Sequence, residues 1–363
     1  MNKNSGRKLV VSLKSSSVEL SVINLDARPE ILFAEKDTLL YKDAMEANNF
    51  IIESFKSLQK LLKNNLQNIT AALRGSHDCE VIFHAPWFLP ELISEENKGQ
   101  EVSLKNFFMN KVLPPKQKEY VQVENKITNI LLNGYNLTKL RNIKSDDIEI
   151  NIFRSYISKE TDKQLSEVLN KELGQIKNIE FSTSTMEMYE IIKKLFVHED
   201  NTIFMSIGGE VTEVGLIEDD ILKKYTTFPI GSHMFSRELN TFISEKGNLD
   251  TLQFLSERAT DETLDEVKNK KLNSVREKWE NELGISFKEM GEEIPKKIFV
   301  FSNSNSVTFF SKILSESNLL KEKKIAFYPV TKNFFEGKVE NSGNTISKNV
   351  EYLLSAYYLS IKN

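Results

Sequence analysis

The sequence feature that most constrains the fold is a pair of glycines between two apolar runs. Residues 202–207 lead into Gly208 and Gly209, and a second run with alternating apolar residues, 212–217, follows almost at once. Apolar runs that flank glycines predict two strands joined by a tight turn. Because neither glycine carries a Cβ atom, the amides of the turn could approach a phosphate closely, with the Thr212 hydroxyl within reach. An ordinary Gly-Gly β-turn explains these residues equally well.

The glycine turn and its surroundings resemble the second phosphate loop of the actin-like ATPase superfamily, in the form found in bacterial FtsA and PilM. That loop reads roughly Asp-x-Gly-Gly-x-x-Thr-Asp, and a hairpin and a Pro-x-Gly turn into a helix follow it. Residues 229–231 match the later turn, Ser206 takes the position of the leading Asp, and Glu213 takes that of the second acid. The resemblance implies a degenerate nucleotide site lined by Ser206, Gly208, Gly209 and Thr212.

A second candidate phosphate loop lies near residue 14. The β-type runs 8–13 and 18–23 are separated by polar residues, which predicts a hairpin with a polar tip. In the actin-like family this hairpin is the first phosphate loop, usually Asp-x-Gly-x-x-Ser, so the resemblance adds Ser12, Lys14 and Ser16 to the nucleotide candidates. Ser12 replaces the Asp and Lys14 replaces the Gly. Lys14 could crowd or attract a phosphate, or it could be a solvated lysine at a hairpin tip.

A third loop follows the predicted strand 297–302. The family places a Thr-Gly-Gly sequence here, against which adenine and ribose lie. Asn303 and Ser304 stand where the glycines would be, and the resemblance makes them nucleotide-site candidates. Asn and Ser are also common caps at the start of a helix, and that interpretation needs no ligand.

The order of predicted elements follows the family along nearly the whole chain. Period-2 and period-3.6 patterns predict strands over 30–41, 80–85, 120–132, 147–157 and 178–181, and helices over 42–74, 102–112, 159–173, 185–197, 307–316 and 347–361. Gly75 is expected to end the first helix. Asn133 and Gly134 predict a two-residue hairpin turn, and residues 232–293 are almost wholly helical in pattern.

These elements predict an α/β protein with a two-lobed actin-like (ribonuclease-H-like) fold and an inserted small α+β subdomain. At 363 residues the chain is too long for one compact core. The expected divisions are a first lobe (1–78, 159–198 and 345–363), an inserted FtsA/PilM-type module (79–158), a second lobe (199–235 and 296–344) and a helical subdomain of that lobe (236–295).

The serines at positions 12 and 206 bear on whether the chain is an enzyme. In active members of the superfamily, the acids at these positions help to hold Mg²⁺ and to position the attacking water. Neutral hydroxyls provide neither the charge that Mg²⁺ prefers nor a base. We therefore expect weak or no binding of ATP and Mg²⁺, and no hydrolysis. The alternative is an active ATPase or a sugar-kinase-like phosphotransferase, with Glu213, or Glu210 on the same hairpin, as the acid.

Composition excludes several other functions. With a net charge of −4 and no basic stripe, the chain is not expected to bind nucleic acid as an adaptor. No apolar stretch is long enough for a membrane span or a signal peptide, and no membrane anchor is expected, so the predicted location is the cytoplasm. Four scattered histidines and the single cysteine, Cys79, show no metal-ligand spacing, and Cys79 is expected to be an inert, buried thiol.

The resemblance therefore implies a cytoplasmic scaffold of the FtsA/PilM kind. It would link a membrane-associated cell-division or type IV pilus assembly to cytosolic components, which places it beside the inner membrane through its partners. The expected partner is a cytosolic peptide of a membrane protein, docked between the inserted module and the first lobe. Self-association remains open. The candidate contact residues are Trp87, Phe107, Phe108 and Tyr135, although Trp87 could instead be a core aromatic.

Overall fold

The structure, a computed structural model, describes residues 6–104, 107, 119–137, 143–174, 176–196, 201–240, 266–302, 306–342 and 349–362. Three of the candidate residues, Phe108, Asn303 and Ser304, lie outside these ranges. Within them the strands form three β-sheets. None of the described helices is both long and apolar enough to cross a membrane.

A six-stranded sheet forms the centre of the first lobe. Its strands are β1 (Arg7–Leu13), β2 (Ser17–Asn24), β3 (Glu30–Thr38), β4 (Asp78–Phe83), β9 (Asn178–Thr183) and β15 (Glu340–Asn341), in the spatial order β15-β3-β2-β1-β4-β9. β1, β2 and β3 pair antiparallel, whereas β4 and β9 join in parallel. The predicted hairpin of β1 and β2 is confirmed. β1 carries a continuous apolar run at 9–11, whereas β2 alternates polar with apolar residues, although nearly all of both strands is buried.

The helix expected over residues 42–74 is divided in the structure into α1 (Ala44–Ala47) and α2 (Phe50–Leu73). The Asp43 side chain caps α1 by accepting hydrogen bonds from the amides of Met45 and Glu46. Two asparagines lie between the helices, and asparagine side chains compete with the backbone bonds of a helix. The predicted end is confirmed: left-handed Arg74 (φ 49°) caps α2, and Gly75 follows at φ 81°.

The remaining helices of the first lobe agree with the sequence pattern. They are α3 (Lys159–Leu173), α4 (Ser184–Leu195) and α9 (Val350–Lys362). The hydroxyls of Ser158 and Thr183 cap the first two by accepting an amide hydrogen bond from the first turn. Helix α9 packs into the same apolar core as β1 and α2, so the first lobe is built from segments far apart in the sequence.

A four-stranded antiparallel sheet forms the inserted module. Its strands are β5 (Leu89–Ser103), β6 (Tyr120–Leu132), β7 (Tyr135–Asn136) and β8 (Lys144–Ser158), in the spatial order β5-β8-β6-β7. The module's sheet thus starts at Leu89 rather than at residue 79, because β4 belongs to the first lobe. The predicted turn is confirmed: Asn133 and Gly134 have φ values of 51° and 76°.

The prediction of a helix over 102–112 is wrong for its first residues. Val102 and Ser103 pair with β8 and end strand β5, which the sequence analysis did not predict. Of the other residues in that range, only Leu104 and Phe107 are described, and both belong to the module's small apolar core.

A five-stranded sheet forms the second lobe. Its strands are β10 (Thr202–Ile207), β11 (Thr212–Glu218), β12 (Ile221–Phe228), β13 (Lys297–Ser302) and β14 (Ala326–Pro329), in the spatial order β12-β11-β10-β13-β14. The described helices here are α5 (Ser232–Asn240), α6 (Glu266–Met290), α7 (Val307–Glu316) and α8 (Asn318–Lys323). A 3₁₀ turn at Lys332–Phe335 then returns to the first lobe, where Phe335 is buried in the core. Trp279, Leu283 and Phe287 of α6 are buried in the apolar core of the second lobe, on one face of the helix.

The two hairpins that the sequence analysis singled out lie in different sheets and face each other. The β1–β2 turn and the β10–β11 turn line one cleft. The predicted α/β architecture of two lobes with an inserted module is confirmed by this arrangement.

Candidate functional site

The tips of the two hairpins are in direct contact across the cleft. The Glu210 amide donates a hydrogen bond to Ser15 Oγ at 3.3 Å. A Cβ atom built on Gly209 would lie 1.8 Å from Ser16 Oγ, closer than any real Cβ contact. Gly209 is therefore required because the opposite hairpin occupies the space that a side chain would need, and the contact narrows the path by which a phosphate would enter.

The glycine loop is fixed to the start of α5. The amides of Ser232 and His233 donate hydrogen bonds to the carbonyls of Gly208 and Gly209, at 2.9 and 2.8 Å. A Cβ on Gly231 would lie 2.4 Å from the Gly209 carbonyl oxygen, which explains the glycine of the Pro-x-Gly turn. The loop therefore satisfies two of the free amides that begin helix α5.

Glu210, next to the glycines, is bound within its own lobe. Both of its carboxylate oxygens accept hydrogen bonds from the Arg237 guanidinium, at 2.6 and 2.8 Å. Burial alone would raise the pKa of Glu210, but the Arg237 guanidinium and the nearby His233 ring outweigh it and hold the pKa below its ordinary value. Glu210 is thus a paired structural anion, which does not suit it to accept a proton.

Thr212 faces away from the cleft. Its buried hydroxyl donates to the Ile230 carbonyl at 2.7 Å and accepts from Trp279 Nε1 at 3.3 Å. Thr212 is not among the residues that line the cleft. The sequence analysis placed this hydroxyl near a phosphate. It instead stabilises the hairpin on the side that faces away from the cleft.

Glu213 joins the two lobes. Its carboxylate accepts hydrogen bonds from Ser184 Oγ (2.9 and 3.1 Å), from the Ala85 amide (3.2 Å) and from the Tyr225 hydroxyl (3.0 Å). Ser184 and Ala85 belong to the first lobe, and Glu213 to the second. Burial raises the pKa of Glu213 despite these hydrogen bonds. Since both oxygens are already occupied, the residue acts as a bridge rather than as a free acid.

Lys14 belongs to a buried ion-pair cluster with Lys36, Glu19 and Glu351. Its ammonium lies 2.9 Å from Glu19 and 3.4 Å from Glu351, and that of Lys36 lies 2.8 and 3.1 Å from the same carboxylates. Only 16% of the Lys14 side chain is exposed, so the interpretation as a solvated tip lysine is wrong.

This cluster offers little attraction for a phosphate. Burial disfavours the Glu19 carboxylate, yet Lys14 and Lys36 outweigh that cost and lower the pKa of Glu19 to about 2. Glu351 supplies the second negative charge. The two cations are thus balanced by two anions, and a phosphate would have to displace a carboxylate.

The remaining cleft residues are mostly hydroxyls, and the space among them is small. Ser12, Ser16 and Ser206 line the cleft at the expected positions. The cavity volume is about 80 Å³, well below the roughly 300–1,000 Å³ of typical ligand pockets. In the described part of the chain, no three His, Cys, Asp or Glu side chains are grouped to hold a metal ion. Cys79 is buried, and burial raises the pKa of its thiol.

Several cleft residues were missed by the sequence analysis. Ser184 and Glu187 lie at the start of α4, and Glu351 and Ser355 lie on α9. Ser355 donates a hydrogen bond to Glu187 at 2.8 Å, while burial raises the pKa of Glu187 to about 7. The sequence did carry one indication: Glu351 is the single acid of the strongly apolar helix α9. That pattern does not identify the partner of the acid.

The aromatic partner-binding candidates occupy different environments. Trp87 is 5% exposed, packs edge-on against Phe50 and donates from Nε1 to the Lys14 carbonyl at 3.1 Å. Phe107 is buried in the module's core. Tyr135, beside the hairpin turn of the module, is 77% exposed. Of the described candidates, Tyr135 is therefore the one that a partner can reach directly.

The interface between the module and the first lobe is filled with side chains. Thr183 Oγ1 donates to Glu124 at 2.6 Å, and Lys126 donates to the Tyr358 hydroxyl at 3.1 Å. Burial raises the pKa of Glu124 to about 7. These contacts join the module to the first lobe, and docking of a peptide between the two stays a prediction.

Comparison with known proteins rests on structure. No protein-family model matches the chain, and no curated protein matches its sequence. The structure titled "PilM-PilN type IV pilus biogenesis complex" matches with a TM-score of 0.61 at 12% identity, covering 97% of this chain and 96% of that one. This likeness confirms the expected actin-like fold of the PilM kind.

Two further solved structures are similar to a lesser degree. One is a Bacteroides thetaiotaomicron protein with an actin-like ATPase fold and unknown function, with a TM-score of 0.41 at 12% identity, covering 97% of each chain. The other is the ethanolamine utilization protein EutJ from Carboxydothermus hydrogenoformans, with a TM-score of 0.46 at 11% identity, covering 97% of this chain and 89% of that one.

Proposed function

We propose that this actin-fold chain is a non-hydrolysing scaffold that binds a cytosolic segment of a membrane-associated partner. The observation that carries the proposal is the contact between the two phosphate-loop hairpins, where Ser15 accepts the Glu210 amide and Ser16 fills the space beside Gly209. A site that catalysed phosphoryl transfer would keep these loops apart around the phosphates and would place charge there. The scaffold acts through its surfaces instead.

The two acids beside the glycine turn, Glu210 and Glu213, are both engaged in hydrogen bonds, which supports the same proposal. Ser12 and Ser206 cannot hold Mg²⁺ through charge, and Glu213 is bound by three donors from both lobes. Weak nucleotide binding remains compatible with these contacts, but the balanced Lys14 cluster adds no driving force for it.

A protein partner is supported by the structural likeness. The similar structure is named as a complex of PilM with PilN in type IV pilus biogenesis. By analogy of fold, we place this chain in the cytoplasm beside the inner membrane, in a pilus or cell-division assembly, with the inserted module as its principal contact element. Tyr135, exposed at one end of the module, is the first candidate contact residue.

An active ATPase is the second candidate, because one observation favours it. Glu187 lines the cleft, and its pKa of about 7 is near the value that suits a general base. Phosphate release by the purified chain, with ATP and Mg²⁺, separates the two candidates. We expect no release above a protein-free blank. Turnover that is abolished in Glu187→Gln or Glu213→Gln would establish the enzyme and refute the scaffold proposal.

The partner-binding role is tested by removing most of the module, including the β6 residues that contact the first lobe. Ile93 and Ile152 face each other in the β5–β8 pairing, so residues 94–151 can be replaced by an Asn-Gly turn between them. Phe153 and Ile157, which belong to the first-lobe core, are retained. In native cells, we expect photo-crosslinking to a membrane protein to be lost in this deletion. Undiminished crosslinking would show that the module is not the contact element.

A further inference from the structure

We propose that the groove between β5 and β12 binds an extended, acidic peptide segment. This inference rests on the proposed scaffold function and gives the partner a location and a chemistry. β5 is the outermost strand of the module's sheet, and β12 is the outermost strand of the second-lobe sheet. Among the described residues, each therefore has one side without a strand partner, and such edges are templates for an added strand.

The groove lies where these two edges approach each other. It is lined by Pro90 and Leu92 of β5, by the β12 residues Lys223, Lys224, Tyr225 and Thr226, and by Glu289 and Met290 at the end of α6. The Tyr225 ring packs against Phe88 with the ring centres 6.1 Å apart, so the floor of the groove is fixed at one end.

The groove has more room than the cleft. Its cavity volume is about 330 Å³, compared with about 80 Å³ in the cleft between the two hairpins. The first value falls in the range of about 300–1,000 Å³ in which proteins bind small ligands and peptide side chains, and the second does not. The groove therefore has room for side chains of a bound segment.

The charges of the groove select an acidic segment. In the described part of the chain, no carboxylate lies within ion-pair distance of Lys223 or Lys224, although Lys224 donates to the Glu289 backbone carbonyl at 3.0 Å. The Glu289 carboxylate accepts a hydrogen bond from Thr226 at 3.0 Å. Lysine and proline also protect edge strands from indiscriminate pairing, so a partner must carry the compensating acidic groups.

Apolar groups supply the rest of the recognition. Leu92 and Tyr225, which are partly exposed, offer apolar surface between the lysines and Pro90, and the buried Met290 lies beneath them. In an extended strand, side chains alternate between two faces, so a segment with alternating acidic and apolar residues matches both features. Such a segment would contact the module and the second lobe together.

The test uses two labelled heptapeptides and fluorescence anisotropy. One alternates aspartate with leucine and valine, and the other carries lysine in place of each aspartate. We expect the full chain to bind the acidic peptide and to bind the basic peptide at least about tenfold more weakly. Equal binding of the two peptides, or no binding of the acidic one at millimolar concentration, would overturn the proposal.

Charge reversal locates the binding site. The double variant Lys223→Glu and Lys224→Glu should bind the acidic peptide about tenfold or more weakly. The matched control, Lys171→Glu with Lys177→Glu, reverses two exposed lysines of the first lobe and should leave affinity unchanged. Circular dichroism checks that both variants fold. The same loss in the control, or no loss in the groove variant, contradicts the proposal.

Sedimentation and crosslinking separate a peptide site from a dimer interface and from the scaffold function itself. If sedimentation shows a dimer of the full chain that the groove variant abolishes, the occupant is a second copy, and the peptide proposal is wrong. If the native partner still crosslinks to the groove variant but not to the 94–151 deletion, this inference fails while the scaffold function stands. If no partner crosslinks to the unaltered chain, the scaffold function fails. The peptide-binding measurement alone then tests whether the groove binds an acidic segment.

Discussion

The Glu213 carboxylate of the second lobe lies 2.9 Å from the Ser184 hydroxyl of the first lobe. The Ala85 amide approaches the same carboxylate from the first lobe, and the Tyr225 hydroxyl approaches it from the second. Glu213, which the sequence analysis proposed as an alternative catalytic acid, thus holds the lobes together. We expect its loss to affect stability before it affects any chemistry.

Replacing Glu213 with alanine should lower the free energy of unfolding by about 2–4 kcal/mol, because three buried donors lose their acceptor. Glu213→Gln keeps one acceptor oxygen and carries no charge. Its decrease in the free energy of unfolding should therefore be less than half of that for Glu213→Ala. Urea unfolding of the three proteins at pH 7 measures the difference. Equal losses for Ala and Gln would show that the hydrogen bonds do not determine the stability of the bridge.

Gly209→Ala should destabilise the protein by about 1–3 kcal/mol, because the new Cβ collides with Ser16. Adding Ser16→Gly removes the colliding atoms and should recover at least half of the loss. The control is Gly284→Ala within helix α6, where the nearest atom is 3.9 Å away and the change should be neutral or stabilising. A double-mutant cycle by urea unfolding measures the coupling, and additive losses would contradict contact between the hairpins.

Stability should fall as the pH rises from about 4.5 to about 7. Burial raises the pKa of both Glu124 and Glu187 from 4.5 to about 7. Between these values the folded state binds more protons than the unfolded state, so each carboxyl loses on the order of 2 kcal/mol of stabilisation across the window. In Glu124→Gln the slope of unfolding free energy against pH should be visibly shallower. Parallel slopes for variant and parent would mean that Glu124 ionises normally in the fold.

Tyr135→Ser should reduce crosslinking to the native partner without changing stability by more than about 0.5 kcal/mol, because the side chain is 77% exposed. Tyr328→Ser is the matched control, since Tyr328 is also exposed but lies on the second lobe. Thermal unfolding and crosslinking yield are the two measurements. A similar loss of yield in both variants would show that Tyr135 has no specific role.

Local patterns predicted much of the fold. Helix α3 and strand β6 have the bounds that their periodicity indicates, and the Asn133–Gly134 turn has the expected positive φ values. Strand β5 was missed because its residues 94–101 carry no alternating apolar pattern. They are extended because the strand pairs with β8. This is a tertiary interaction, which the local sequence pattern does not show.

The site was predictable in position but not in chemistry. Glycine spacing located the turn at Gly208 and Gly209, because backbone approach is a local property. The burial of Lys14 was not predictable, since its partner Glu351 lies 337 residues away. For the same reason, no sequence pattern showed that Ser184 would reach Glu213.

The position of Glu351 also bears on the order of folding during synthesis. Without α9, Lys14 and Lys36 face only Glu19 in the cluster, which leaves one excess positive charge, and the first-lobe core lacks Tyr352, Ala356, Tyr358 and Leu359. The second-lobe sheet needs only the contiguous residues 202–329. A chain emerging from the ribosome can therefore complete its second lobe while the first, although begun earlier, still waits for its final helix.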